Sequence, residues 1–157
     1  MTLRRRFRND PKVEVHRRSG WEALAALLPP KEKRGLVFVD PPFEGRDEFS
    51  MLSDGLRTGY DRFGQGIFAA WYPIKKMAAV RSFHSGLACF GIRDIVAVEL
   101  HLRSPADPDR LSGCGMVIVN PPYGFERHAR VIADAILGGL GDSEIGAGIA
   151  VLRLIDE

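Results

Sequence analysis

The chain has 157 residues, of which 45% are apolar and 27% charged, with 22 Lys and Arg against 20 Asp and Glu. That size and apolar fraction fit one globular domain, residues 1–157, and exclude disordered, fibrous and low-complexity chains. No apolar run approaches the ~20 residues that cross a bilayer, and the Arg-rich start lacks the apolar run and cleavage site of a secretory signal, so a cytoplasmic protein without membrane association is expected.

The net charge of +2 is uneven, because residues 1–18 hold Arg4, Arg5, Arg6, Arg8, Lys12, Arg17 and Arg18 against Asp10 and Glu14, leaving −3 for the remainder. A basic patch favours a polyanion such as nucleic acid. A solvated arm has the same composition and is the commoner case. Val13–His16 is a short strand candidate, and Trp21, Leu24, Leu27 and Leu28 mark a helix that Pro29 and Pro30 end. The uniformly apolar run Leu36-Val37-Phe38-Val39 suits a strand covered on both faces and stops at Asp40-Pro41-Pro42-Phe43. Helical spacing follows over 47–63, a strand over 67–72, a helix over 74–90 with Gly91 as its stop, and a strand over 95–102. After a polar loop, Met116–Val119 repeats the earlier pattern and ends in Asn120-Pro121-Pro122-Tyr123; a helix over 126–140 and a strand over 149–155 close the chain. Strands alternating with helices predict an α/β fold, a mostly parallel sheet with helices on both faces and one antiparallel edge strand.

In such sheets ligands sit beyond the carboxyl ends of the strands, where both Pro-Pro tetrapeptides fall. An acid or amide, two prolines and an aromatic suit an exocyclic amine on a flat base. The lone pair of that amine is delocalised into the ring, which makes it a poor nucleophile. Two acceptors, the side-chain oxygen of Asp40 or Asn120 and the following proline carbonyl, can take both amine hydrogens and draw the nitrogen toward a tetrahedral shape aimed at an electrophilic methyl group. Phe43 or Tyr123 can stack on a base taken out of its helix. Asp40 is the preferred copy because its strand is the more uniformly apolar and so the more central; Asn120 reads as supportive. Trp71 and Tyr72, on the same rim, either line the base pocket or pack under the next helix.

Three segments carry a family resemblance: Gly35–Glu44, Gly59–Pro73 and Gly115–Pro122, joined by Gly91-Ile92-Arg93 and Val98-Glu99-Leu100. In these the chain resembles the RlmJ family of S-adenosylmethionine-dependent methyltransferases, which act on adenine N6 of 23S ribosomal RNA. Some family members have also been described as needed for using external DNA as a nutrient. The resemblance implies a Rossmann-like methyltransferase sheet. It makes Asp40 catalytic, together with Pro41 and Phe43 of the same motif, with Phe43 in place of the more usual tyrosine; from their place on the rim, Pro42, Trp71 and Tyr72 are expected on the substrate side. It assigns Ser19, Gly20 and Asp40 to the cofactor, S-adenosylmethionine. Ser19-Gly20 stands where the family has Asp-Gly, so a negative charge is lost there.

The resemblance covers what corresponds to the C-terminal half of the family. No Gly-rich cofactor loop or ribose-binding acid precedes Asp40, so a fold lacking the first strands, with an uncovered sheet edge open to self-association, is expected. Cofactor binding by this chain alone is then weak or absent. The histidines show no metal-ligand spacing and no G-x-S-x-G elbow is present, so metal and hydrolase chemistry are not expected. Cys89 and Cys114 form no C-x-x-C pair and read as free buried thiols. Two readings result: an rRNA adenine-N6 methyltransferase, or a catalytically silent remnant that binds nucleic acid or another partner.

Overall fold

A computed structural model describes residues 2–45, 47–140 and 144–156. The apolar runs form β1 (Leu36–Val39), β2 (Ile67–Ile74), β3 (Ile95–His101), β4 (Gly113–Val119) and β5 (Gly148–Ile155). The helical segments form α1 (Leu3–Phe7), α2 (Gly20–Leu27), α3 (Glu48–Arg62), α4 (Met77–Ala88) and α5 (Phe125–Gly139). The five strands make one sheet in the order β1-β2-β4-β3-β5.

The expected predominance of parallel pairing is corrected: only β1 and β2 pair in parallel, while β2–β4, β4–β3 and β3–β5 are antiparallel. The connections explain why. Helices α3, α4 and α5 each carry the chain to a strand running in the same direction, as crossover units require. The helix-free loop between β3 and β4 instead turns the chain straight back, and β4 inserts between β2 and β3. Likewise β3 lies between β4 and β5. Strands β1, β2 and β3 therefore share one direction without all being neighbours, and their carboxyl ends share one rim.

Phe68, Ala70, Tyr72 and Ile74 of β2 join Leu52 and Leu56 of α3 and Val80, Phe83 and Leu87 of α4 in the main core. On the opposite face α5 buries Ala129 and Ala133, leaving an apolar groove over Trp71, Val98 and Met116. Helices thus cover both faces. Gly91, with φ of 69°, follows α4 in the left-handed conformation that favours glycine.

Three local expectations change. Val13–His16 forms no strand, because no strand lies beside it to pair with, and α1 forms within the basic segment instead. Strand β2 continues through Pro73 to Ile74, since β1 ends opposite Ala70 and a proline is tolerated where a strand has lost one neighbour. Both thiols are free, but Cys89 is exposed beyond α4 and Cys114 is half-buried in β4. No helix among the described residues is long and apolar enough to cross a membrane.

Candidate active site

Strand β1 delivers Asp40 to the rim, exposed, with Pro41 buried behind it and Pro42 exposed. On one side of Asp40 opens a hollow of about 480 Å³, lined by Gly20, Trp21 and Leu24 and by β1 through Pro42. Gly20 opens onto free space: a Cβ there would meet nothing within 4 Å. Ser19 is exposed at the N-cap of α2, where its side chain makes no capping hydrogen bond, and it lies outside the hollow's lining. Asp40 and Gly20 are thus brought together, with Ser19 adjacent in sequence.

Phe43 adopts φ of 51°, a conformation that costs a bulky residue energy and persists where the surroundings hold it. Its ring lies edge-on to Phe49 at 5.0 Å and to Trp71 at 5.9 Å. Phe43 also borders a second hollow, of about 380 Å³, with Phe49, Glu48, Lys75 and Lys76. Asp40-Pro41-Pro42-Phe43 therefore divides two openings on the rim. Trp71 is half-buried and touches Phe43, but it faces the groove under α5 and stands apart from the Asp40 hollow.

Tyr72 does not reach the substrate side and takes the other place expected for it, packed against Phe83 and His84 of the following helix, α4. It points into the core, fully buried, with its hydroxyl donating to Glu99 Oε1 at 3.0 Å and lying 2.9 Å from His84 Nε2. Glu99 Oε2 lies 3.1 Å from His101 Nε2. Burial opposes ionisation of Glu99, yet hydrogen bonds from His101 and Tyr72 and the nearby histidines outweigh it and hold the carboxyl below its usual range. Burial pushes the Tyr72 hydroxyl up and the His84 imidazole down. This four-residue cluster was missed in the sequence. Its signal was Glu99 and His101 two apart on one strand, hence on one face. No group of three His, Cys, Asp or Glu able to hold a metal occurs among the described residues.

The second tetrapeptide does different work. Asn120, at φ of 52°, donates through Nδ2 to the carbonyls of Gly64 at 2.9 Å and Gly66 at 2.7 Å, tying the end of β4 to the turn before β2. Its amide hydrogens are committed, and Tyr123 stands fully in solvent.

A Rossmann-like α/β sheet with an acid-Pro-Pro-aromatic turn at its rim defines the methyltransferase class of fold. The family model described as ribosomal RNA large subunit methyltransferase D, RlmJ, matches residues 1–151, and the chain belongs to this family. Ribosomal RNA large subunit methyltransferase J of Haemophilus influenzae is 38% identical over 130 residues, covering 83% of this chain and 46% of that protein. The protein of the same name from Escherichia coli K12 is 34% identical over 125 residues, covering 80% and 45%. The crystal structure of protein LPL1258 from Legionella pneumophila, of family DUF519, superposes with a TM-score of 0.74 at 30% identity over 87% of this chain and 49% of that one. The chain thus spans about half the length of the relatives it matches.

Proposed function

We propose that this chain carries the amine-gripping part of a methyltransferase acting on adenine N6 in 23S ribosomal RNA in the cytoplasm. The observation that carries the reading is Asp40, exposed at the rim of β1 between two hollows, with the buried Pro41 fixing the backbone behind it. The names of the relatives supply the substrate class. In this reading the Asp40 carboxylate and the Pro41 carbonyl each accept one amine hydrogen, which localises the nitrogen lone pair for attack. The nitrogen gains a methyl group and sheds a proton, for which Asp40 is the nearest base. Phe43 offers a ring face to the purine, and Pro42 borders it.

The hollow beside Gly20 fits the cofactor in kind. Its wall is apolar, Trp21 offers a flat face, and among the described residues Asp40 is the one charged residue lining it, which suits a cationic sulfonium. When bound, S-adenosylmethionine supplies the electrophilic methyl group. Gly20 leaves room for its approach. The hollow is open along the free edge of β1, so affinity for the cofactor is expected to be weak. Calorimetry checks this, and a micromolar dissociation constant would contradict it. The test of the mechanism is methyl transfer to ribosomal RNA: Asp40→Ala should abolish turnover while leaving the circular dichroism spectrum intact. Unchanged turnover would remove Asp40 from the chemistry.

A second reading, an interaction module without catalysis, is favoured by one feature. Leu36 and Phe38 of β1 are 64% and 57% exposed beside an unpaired strand edge, a surface suited to self-association.

A further inference from the structure

The loop between β3 and β4 leaves the same rim as Asp40, because β1 and β3 run in the same direction. Pro108 and Asp109 of this loop border the hollow that Phe43 lines. At its base, Arg103 Nη1 donates to the Leu111 carbonyl at 2.7 Å, which fixes the guanidinium. Arg103 Nη2 and Arg110 Nη2 then converge on a single oxygen, Glu144 Oε1, at 2.8 and 3.1 Å. Arg103 Nε is buried and has no hydrogen-bond partner among the described residues. The surrounding hollow, about 490 Å³, also holds Ser104, Ser112 and Asp107, whose Oδ1 accepts the Asp109 backbone N–H at 2.9 Å.

We propose that Arg103 and Arg110 form a binding site for one backbone phosphate of RNA, and that Glu144 occupies it when RNA is absent. The proposal deepens the ribosomal RNA reading and rests on it. Two guanidinium groups converging on one anionic oxygen, with a further N–H unused, match a phosphate group more fully than a carboxylate that engages them through one oxygen. Glu144 is exposed, and such surface pairing exchanges readily. The position suits a strand whose flipped base lies at Phe43, because the same loop touches both hollows.

Fluorescence anisotropy with single-stranded oligouridine, which contains no adenine, tests the site separately from the methyl-acceptor chemistry. Arg110→Gln should weaken binding about tenfold and lower the slope of log K against log salt by about 0.7, the value for one phosphate contact in a single strand. Glu144→Gln should tighten binding about threefold by removing the competing anion. A Glu144 with a purely structural role would give weaker or unchanged binding, which would overturn the proposal. Absence of binding by the unmodified chain, or an Arg110→Gln variant with unchanged affinity and slope, would also overturn it. Oligouridine binding and methyl transfer to ribosomal RNA are separate readouts, so failure of the phosphate site and failure of the methyltransferase reading give different patterns.

Discussion

The Tyr72 hydroxyl joins three elements, since its neighbours Glu99 and His84 belong to β3 and α4 while its own backbone is in β2. To reach Glu99 the ring must cross β4, and it does so over Gly115, the residue paired with both Tyr72 and Glu99. A Cβ at Gly115 would stand 2.2 Å from Tyr72 Cζ. Gly115→Ala therefore has to displace the ring, and it should destabilise more than Tyr72→Phe, which removes the hydroxyl alone. The latter leaves Glu99 short of one donor and should cost about 1–3 kcal/mol. Urea unfolding followed by circular dichroism gives both values, and an unchanged midpoint in Tyr72→Phe would show that the hydroxyl holds nothing. The effect reaches the candidate site through ring contacts, because Phe49 lies 6.2 Å from Tyr72 and 5.0 Å from Phe43.

Helix α4 is fastened to the sheet partly through His84, and this makes its docking sensitive to acid. Burial lowers the His84 pKa, so below about 6.5 the unfolded chain binds a proton that the folded one resists, and stability falls as pH falls. Glu99 acts in the same direction lower down: its depressed carboxyl stabilises the fold above about 4.3, and that contribution is lost as pH drops through its folded value. The urea midpoint should decline from about pH 6.5 downward, and in His84→Gln the first part of that decline should disappear. A variant that keeps the full decline would assign it to another group. Element by element, much of this was legible: Leu36–Val39 ending in Asp40-Pro41-Pro42 gave a strand and the turn that ends it, although β1 lies at the sheet's edge with Leu36 and Phe38 exposed instead of centrally and covered on both faces, and the 47–63 spacing gave α3. The strand order was not, because apolar runs name strands without naming neighbours, and the insertion of β4 depends on a loop folding back. Nor was the inward turn of Tyr72. In a stretch as uniformly apolar as Ala69–Ile74, alternation cannot say which residue faces the core and which the site. Val13–His16 had strand-like residues and no partner, which only tertiary structure reveals.

At the scale of the whole molecule, the sheet ends in β5 on one side and in β1 on the other, and the β1 edge carries the exposed Leu36 and Phe38. This β1 edge is self-complementary. Residues directly opposed in an antiparallel pair share a face, so two copies related by a two-fold axis at Val37 would set Leu36 against Phe38 and, two residues further out on the same face, Arg34 against Asp40. Arg34 and Asp40 are both exposed and neither has an ion-pair partner among the described residues. Such a pairing would cover the two exposed apolar side chains and neutralise both ends of the edge, while engaging the carboxylate proposed to grip adenine. Association and base binding should then compete. Sedimentation over a range of concentrations should show a dimer that Phe38→Lys abolishes, because the lysine places a charge opposite Leu36 of the other copy. Arg34→Glu should weaken it by opposing Asp40 with a like charge, and the double variant Arg34→Asp with Asp40→Arg should restore it. A chain that stays monomeric at all concentrations, or a dimer indifferent to the Arg34 charge, would leave the β1 edge without this role.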